Sequence, residues 1–345
     1  MSSAKQVISN AFESPALERL TRLLNQNGVK SKEIVALTPD ASTRKYFRVG
    51  WKKGSAVAAV YPEPFDPEFH PYLDVTKLFL KCQIPVPEIY AVDGTTGIVV
   101  QEDLGDQQLF QLLEEADEEE CDEYKEKAIS LIARIQKGTD TAREMNSIAS
   151  RLAFDEAKLS WELDFFFEHY FMSLRKENLR HAEIAELKTE LNDIAAELAA
   201  VPRVLCHRDY HGANLMVDSK NRLRVLDHQD ARMGPASYDL VSFLLDRQLC
   251  SPSLAELRDY RLFFLEERRR QGLDILDPDE FAREFRLMAI QRGLKATGTF
   301  SYQTAVCGRG ALYESYIQPT LQIVFQSAVW LDRFPALQRI VKARI

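Results

Sequence analysis

Hydrophobic residues recur with two different periods along this chain, and the change of period divides it. In the first part, short apolar runs separated by polar turns predict strands at 34–37, 46–49 and 56–61, which suggest an antiparallel sheet. The run 88–92, a turn at 93–94 and a further apolar strand that begins at 97 follow. Amphipathic helices are predicted before this sheet at 11–27 and within it at 69–81. From residue 106 onwards, apolar positions recur mainly at helical spacing, which predicts a helical second part.

One segment of the second part departs from helical spacing. Residues 204–217 and 223–230 contain short apolar runs, and the polar residues 218–222 between them favour a turn, which predicts a β-hairpin. In such a hairpin Asn214 and Asp227 would lie nearly opposite each other at the open end, with opposed side chains roughly 5 Å apart. Their amide and carboxylate oxygens are ligands of the kind that a magnesium ion prefers.

Asp209 lies five residues before Asn214 and completes a pattern of three polar residues. This order of an Asp, an Asn and a later Asp, with His-Arg in front, is that of the base and metal ligands in a kinase catalytic loop. Each residue alone is more typical of a turn or a strand end. Together they predict Asp209 as the catalytic base and Asn214 and Asp227 as ligands of one or two Mg²⁺ ions.

Residues 207–216, 226–235 and 238–240 resemble the aminoglycoside phosphotransferase and choline kinase superfamily. Within it, the segment is most similar to bacterial kinases that phosphorylate the anomeric hydroxyl of N-acetylmuramate and N-acetylglucosamine, although His228 replaces their usual Phe. The resemblance implies an α+β, two-lobed, protein-kinase-like fold. It would have a small antiparallel-sheet N-lobe at 1–103 and a larger, mainly helical C-lobe at 104–345 that carries the catalytic loop and metal-binding hairpin (204–230).

The resemblance also implies where ATP binds. The loop at 40–45 takes the position of a phosphate-covering loop; it has no glycine, but its hydroxyls and cations suit phosphates, and the candidates are Ser42, Thr43 and Arg44. Backbone groups of a hinge are expected to contact the adenine, at Gln101, Glu102, Asp103 and Leu104. The predicted strand 56–61 lacks the lysine that normally meets the α- and β-phosphates, and Arg44 is the predicted substitute.

Polar side chains beside the catalytic residues are the predicted contacts of the acceptor. Gln229, Asp230 and Arg232 suit a sugar with several hydroxyls better than a quaternary ammonium, which prefers an aromatic box. His211 is a further candidate, with a structural role as the alternative. Three residues are predicted to support the loop, namely His207, Arg208 and, by resemblance, Asp239.

Further polar residues have structural interpretations. The aromatic stretch 161–171 has helical apolar spacing and is predicted to pack mainly in the core, with stacking on a sugar as the alternative. Its acidic residues Glu162, Asp164 and Glu168 are predicted to lie in solvent, with hydrogen bonds to a sugar as the alternative. Asp246 is predicted to pair with Arg247, with a contact to the substrate as the alternative. Arg292 and Lys295 lie in a segment that also resembles the sugar kinases and are weaker candidates for the acceptor side.

Composition and charge narrow the class of protein. The 345 residues are 46% hydrophobic, enough for a sizeable core, and the net charge of −8 argues against a nucleic-acid-binding surface. The N-terminal residues lack an apolar signal segment, and no run approaches about 18 apolar residues, so we expect a cytoplasmic protein without a membrane partner. The expected partners are a small-molecule substrate and a nucleotide, with no obligate protein partner evident.

The sequence therefore predicts an ATP- and Mg²⁺-dependent kinase that transfers the γ-phosphoryl group to a hydroxyl, most consistent with an amino sugar. An aminoglycoside, choline or another small alcohol is an alternative acceptor. A nucleotide-binding pseudokinase regulator is a second alternative, because the strand lysine and a glycine loop are missing. A metal-dependent hydrolase is a third, and would need a tighter set of metal ligands.

Overall fold

The computed structural model of the chain describes residues 15–29, 34–37, 43–52, 54–246 and 252–345. The chain groups into two compact units, one from Met1–Gln107 with Met216–Gln229 and the other from Gln108–Leu215 with Asp230–Ile345. Residues 216–229, which the sequence-based division places in the second domain, thus group with the first unit. The predicted α+β class, with an antiparallel sheet followed by a mainly helical part, is confirmed.

The first unit contains a five-stranded antiparallel sheet of order β1-β2-β3-β5-β4. The strands are β1 (Ile34–Leu37), β2 (Lys45–Trp51), β3 (Gly54–Val60), β4 (Ile89–Asp93) and β5 (Ile98–Glu102). Alternate residues of a strand face the same side, so Phe47, Val49 and Trp51 of β2 are buried together. Helix α1 (Pro15–Gln26) packs on this face through leucines that include Leu20 and Leu24.

Helix α2 (Pro71–Lys81) follows a 3-10 turn at Pro67–Phe69 and buries Val75, Leu78 and Phe79. The predicted hairpin is confirmed, because β7 (Leu215–Val217) pairs with β8 (Leu223–Val225). Asp218 shapes its turn, since Oδ1 accepts from the backbone N–H groups of Lys220 and Arg222 at 2.9 and 3.1 Å.

The second unit is mainly helical. Its helices are α3 (Leu109–Glu115), α4 (Glu118–Lys137), α5 (Thr139–Glu144), α6 (Ile148–Arg151), α7 (Glu156–Phe166), α8 (His181–Ala200), α9 (Tyr238–Leu244), α10 (Leu254–Arg270), α11 (Pro278–Ala305), α12 (Gly310–Tyr313), α13 (Ile317–Leu331) and α14 (Pro335–Lys342). A π-helical segment, Phe167–Arg175, continues α7, and single 3-10 turns occur at Gly212–Asn214 and Glu314–Tyr316. Among the described residues, no helix combines the length and the hydropathy needed to cross a membrane.

Helix α11 is the framework on which the second unit is built. It begins at Pro278, whose fixed φ angle suits the first helical position. Asp277 precedes it as the N-cap, and its carboxylate accepts hydrogen bonds from the N–H groups of Asp279 and Glu280. A Cβ at Gly298 would lie 2.7 Å from the Cα of Phe166, so this glycine permits close packing of α11 on α7. Two short strands, β6 (Val204–Cys206) and β9 (Arg232–Gly234), pair antiparallel beside the predicted catalytic loop.

Candidate active site

A buried carboxylate shapes the predicted catalytic loop of the second unit. Asp239, near the start of α9, accepts hydrogen bonds from the backbone N–H groups of His207 (2.7 Å) and Arg208 (3.0 Å). Arg208 has a φ of 85°, a conformation that non-glycine residues rarely adopt. Burial raises the pKa of Asp239, while these donors and nearby positive charge act in the opposite direction. Asp239 thus lies where its predicted supporting role requires.

The backbone of this loop is fixed from a second side by Arg292 of α11. Its guanidinium donates to the carbonyl oxygen of Arg208 (3.3 Å) and to Ser242 Oγ (2.8 Å), and lies over the ring of Tyr238. The ring of His207 is buried and packs edge-on against Tyr210, consistent with its predicted supporting role. Arg292 therefore contacts the loop itself.

Asp209 lies in a positively charged environment. Its Oδ2 is 3.4 Å from Arg208 Nη1. Burial alone would raise the pKa of the Asp209 carboxyl, but Arg208, Lys295 and Arg292 outweigh that effect and hold the pKa at about 2. A group that stays ionised at neutral pH accepts a hydrogen bond well but is a weak base. Asp209 is thus suited to orient a hydroxyl and to take its proton late in a reaction.

The side-chain amide nitrogen of Asn214 is hydrogen-bonded within the predicted catalytic loop. Nδ2 donates to the carbonyl oxygen of Asp209 (2.9 Å) and contacts His211 Nε2 (3.2 Å). His211 Nε2 must then accept, which places the proton of a neutral ring on Nδ1. Because the nitrogen of Asn214 is engaged, its Oδ1 is the atom that can meet a cation. His211 contacts the predicted metal ligand, which favours the structural alternative for this residue.

The turn before Asn214 has its own supports. The N–H of Gly212 donates to Asp246 Oδ2 at 3.1 Å, so Asp246 binds the catalytic loop; its predicted partner Arg247 lies outside the described residues. A Cβ on Gly212 would lie 2.8 Å from the Cβ of Phe110, so only glycine fits there without movement. The role of Asp246 was missed because an Asp on a helix next to an Arg favours an ion pair.

The structure brings Asp230 and Arg232 close to Asp209. Arg208 Nη1 lies 3.0 Å from Asp230 Oδ2 and also contacts Asp209, and Arg232 Nη2 lies 3.8 Å from Asp230 Oδ1. Glu162 was predicted to face solvent, and this is wrong. Its side chain is 1% exposed and accepts a hydrogen bond from Gln291 Nε2 at 2.8 Å, because α7 turns it towards α11. Asp164 and Glu168 are exposed, as predicted.

Asp227 belongs to the first unit and has a φ of 58°. Its Oδ1 accepts from Gln229 Nε2 at 3.0 Å and from Arg44 Nη2 at 3.3 Å, and the side chain is 43% exposed. Gln229, predicted to contact the acceptor, is engaged with this carboxylate. In the described part of the chain, no three His, Cys, Asp or Glu side chains cluster as a metal site. Taken separately, the partly exposed carboxylate of Asp227 and the oriented amide oxygen of Asn214 are each of the kind that Mg²⁺ binds, since this ion takes its other ligands from water and phosphates.

Arg44 lies beside Asp227 and over the rings of Tyr46 and Tyr61, at 5.6 and 5.7 Å from their centroids. The strand lysine of other kinase folds is missing from β3, and Arg44 is the cation beside the predicted metal ligand. Thr43 is exposed. Ser42 lies outside the described residues.

The predicted hinge residues are tied into the first unit by their side chains. Gln101 Oε1 accepts from the Tyr72 hydroxyl at 2.6 Å, Glu102 pairs with Arg224, and Asp103 pairs with Arg48 at 2.8 Å. The backbone N–H of Glu102 donates to the Glu88 carbonyl oxygen. Gln101 and Glu102 belong to β5, so Asp103 and Leu104 are the predicted hinge residues that lie beyond the strand.

His228, three residues after the β7–β8 hairpin, contacts α2. Its ring lies between Tyr72 and Phe79, and Nε2 is 2.7 Å from Thr76 Oγ1. The Thr76 hydroxyl donates its single hydrogen to the carbonyl oxygen of Tyr72 (2.6 Å), so Nε2 of His228 is the donor to Thr76. The sequence showed His in place of Phe, but its partner 152 residues away carried no signal.

Comparisons with known proteins identify the family of the chain. Residues 33–278 match the phosphotransferase enzyme family. An N-acetylmuramate/N-acetylglucosamine kinase of Neisseria meningitidis is 33% identical over 264 residues, which cover 76% of this chain and 76% of that protein. A protein of the same name from Pseudomonas aeruginosa is 31% identical over 277 residues, covering 79% and 77%.

Solved structures show the same fold at low identity. A choline kinase from Streptococcus pneumoniae has a TM-score of 0.59 at 11% identity, covering 91% of this chain and 99% of its own. A macrolide 2'-phosphotransferase from Brachybacterium faecium has a TM-score of 0.56 at 13% identity, covering 89% and 99%. The chain therefore belongs to the phosphotransferase enzyme family and is a small-molecule kinase.

Proposed function

We propose that this protein is an ATP- and Mg²⁺-dependent kinase that transfers the γ-phosphoryl group to a hydroxyl of an amino sugar, N-acetylmuramate or N-acetylglucosamine. The observation that carries the proposal is the ionised carboxylate of Asp209, held beside Arg208 in a loop shaped by Asp239. Relatives that share about a third of their residues with this chain and are named for this activity support the choice of acceptor.

Asp209 is proposed to accept a hydrogen bond from the attacking hydroxyl. Phosphoryl transfer requires mainly positioning and neutralisation of charge, so a base of low pKa is sufficient to orient the oxygen and receive its proton late. Arg208, Arg292 and Asp239 act on this carboxylate by fixing the loop. His207 supports the same loop from the buried side.

The nucleotide is proposed to be held by residues of three predicted segments, namely the catalytic loop with its hairpin, the phosphate-covering loop and the hinge. Asn214 Oδ1 and the carboxylate of Asp227 would hold Mg²⁺, which neutralises the phosphate oxygens of ATP. Arg44, with Thr43 and Ser42, is proposed to meet the phosphates, and the backbone of Asp103 and Leu104 to meet the adenine. Asp230 and Arg232 are proposed to contact the acceptor. Gln229 and His211 are proposed to support the predicted metal ligands Asp227 and Asn214, which they respectively contact. The proposed setting is the cytoplasm, without nucleic acid, membrane or an obligate protein partner.

The test is ADP release with N-acetylmuramate, N-acetylglucosamine, choline and kanamycin supplied separately, with ATP and Mg²⁺. We expect turnover of the two amino sugars, and a loss of roughly 10²- to 10⁴-fold in kcat for Asp209→Asn. Asp164→Asn is the matched control, because Asp164 is an exposed Asp of the same unit and pairs only with Lys188 among its described contacts.

Each other outcome identifies a different function. Turnover of choline or kanamycin alone would keep the reaction and replace the acceptor. Binding of ATP without ADP release on any acceptor, for both wild type and variant, would favour the pseudokinase alternative.

A further inference from the structure

Two partly buried cations of the second unit, Arg232 and Lys158, have weak ionic partners. Arg232 Nη2 lies 3.8 Å from Asp230, but Asp230 makes its shorter contact, 3.0 Å, with Arg208. Lys158 Nζ lies 3.7 Å from Glu162, but Glu162 accepts its hydrogen bond from Gln291. Within the described ranges, Arg232 and Lys158 form no other ion pair. Both acids are thus engaged mainly with other groups.

The two cations are also withdrawn from water. Their side chains are 11% exposed for Arg232 and 27% for Lys158. Burial lowers the pKa of Lys158, and the charges of Arg208 and Arg232 lower it further against the opposing effect of Glu162. Burial, followed by the charge of Arg208, lowers the pKa of Arg232. The surroundings therefore favour the arrival of an anion.

Aromatic rings hold both charges in place. Lys158 Nζ lies 4.0 Å from the centroid of the Trp161 ring, and the Arg232 guanidinium lies 5.2 Å from that of Phe154. Arg232 Nε donates to the carbonyl oxygen of Asp230 at 3.2 Å. A ring face holds a cation without using its N–H donors, so the Nη groups of Arg232 and the Nζ of Lys158 are the donors that can bind a ligand. The planar fork of an arginine matches a carboxylate, and a lysine adds a point charge.

We propose that Arg232 and Lys158 form a subsite for a carboxylate carried by the acceptor, which makes the enzyme prefer N-acetylmuramate to N-acetylglucosamine. N-Acetylmuramate differs from N-acetylglucosamine by a lactyl ether that ends in a carboxylate. This inference rests on the proposed function. The rival anion is the γ-phosphate of ATP, but it is common to both acceptors and cannot cause a preference between them.

The experiment compares kcat/KM for N-acetylmuramate, its neutral methyl ester and N-acetylglucosamine in wild type, Arg232→Gln and Lys158→Met. The ester keeps the bulk of the lactyl group without its charge. We expect wild type to prefer the acid to the ester, and each variant to reduce that preference roughly tenfold to hundredfold, the range for a hydrogen bond to a charged group. Arg232→Lys, which keeps the charge but not the fork, should retain part of the preference.

Lys188→Met is the matched control. Lys188 also lies 3.7 Å from an acid of α7, Asp164, and over an aromatic ring, that of Phe167, but is half exposed. It should keep the wild-type preference.

Three results would overturn the inference. An equal loss on all three sugars, or a rise only in the KM for ATP, would assign the cations to the phosphates or to the fold, and the proposed sugar kinase would stand. An unchanged ratio of acid to ester in a variant that unfolds at the wild-type temperature would also remove the subsite alone. Turnover of none of the sugars by wild type would remove the proposed function, and the subsite with it.

Discussion

Asp209 shares its surroundings with Arg208, Lys295 and Arg292, and this decides how its charge responds to pH. Its pKa of about 2 in the folded protein lies below the roughly 3.9 of an unfolded Asp. A depressed pKa means that the ionised group stabilises the fold above the unfolded value, and that this contribution disappears as the pH falls towards 2.

The difference in unfolding free energy between wild type and Asp209→Asn should therefore be constant from pH 8 to about 5. Below about pH 4, wild type should lose unfolding free energy relative to the variant. Urea titrations at a series of pH values measure this difference. A change that is already complete between pH 7 and 5 would show that the pKa of Asp209 is not depressed.

Arg44 lies beside Asp227, and its removal tests whether it replaces the missing strand lysine as the anchor of the phosphates. Arg44→Met should raise the KM for ATP by about tenfold or more, the value of one charge-assisted hydrogen bond to a phosphate, with a smaller effect on the acceptor. Steady-state kinetics at saturating acceptor measure this. Arg22→Met, an exposed arginine of α1, is the control; equal KM values in both variants would leave the phosphate anchor unassigned.

Single residues show what sequence reasoning could and could not provide. Asp209, Asn214 and Asp227 could be predicted because their order along the chain carries the pattern, and Asp239 was predicted by resemblance. The burial of Glu162 was missed because its partner Gln291 lies 129 residues away and nothing local marks the contact. Arg292 and Lys295 were weaker candidates for the acceptor side, yet they act on the loop and on the charge of Asp209.

The contact between the end of the hairpin and α2 belongs to the scale of elements. His228→Phe keeps a ring between Tyr72 and Phe79 but removes the donor to Thr76, and Thr76→Val removes the hydroxyl while keeping the shape. Each should cost about 1 kcal/mol or more of unfolding free energy, and the double variant should cost less than the sum. Denaturant unfolding of the four proteins measures the coupling, and strict additivity would show that the hydrogen bond contributes nothing.

The close approach of the catalytic loop to α3 gives a second test. Gly212→Ala places a Cβ 2.8 Å from that of Phe110, so the loop must shift and carry Asn214 with it. We expect kcat/KM to fall by roughly tenfold or more, because small misplacements of reacting groups are costly. Gly54→Ala, which meets no atom within 4 Å, should leave the rate unchanged; equal rates for both variants would refute the loop argument.

Helices and strands could be predicted where the element is long enough for its hydrophobic period to be recognised. The sheet strands and the helix at 71–81 follow from apolar spacing, whereas β6 and β9 pair over three residues each, too few to show a period. The stretch 161–171 was predicted as one helix, but the structure changes to a π-helix at Phe167. The segment stays helical while its hydrogen bonds change from i→i+4 to i→i+5, and no single residue in it marks that change.

On the scale of the whole molecule, each unit has a core of its own. Leu20 in the first unit and Phe285 in the second are fully buried. Leu20→Ala should cost about 2 to 5 kcal/mol and Phe285→Ala about 3 to 5 kcal/mol. Hydrogen exchange should show the loss of protection concentrated in the unit that carries the substitution. Equal loss throughout the chain would show that the two cores open together.

The division near residue 103 was predicted from the resemblance to a kinase hinge, together with the helical spacing that begins after it. The grouping of residues 216–229 with the first unit was not, because chain order places them after a long helical stretch. A hairpin of three-residue strands has no strong preference of its own, and its position depends on contacts such as that between Val225 N–H and the Pro85 carbonyl oxygen.

The carboxylate of Asp239 also limits how far this loop can be moved as a part. It binds the amides of residues 32 and 31 positions earlier in the chain, and Arg292 fixes the same backbone from α11. A peptide of residues 204–217, or a graft of them into another protein, would lack both groups and would relax from the rare conformation at Arg208. A transplanted loop would have to bring an acid and an arginine from two separate helices.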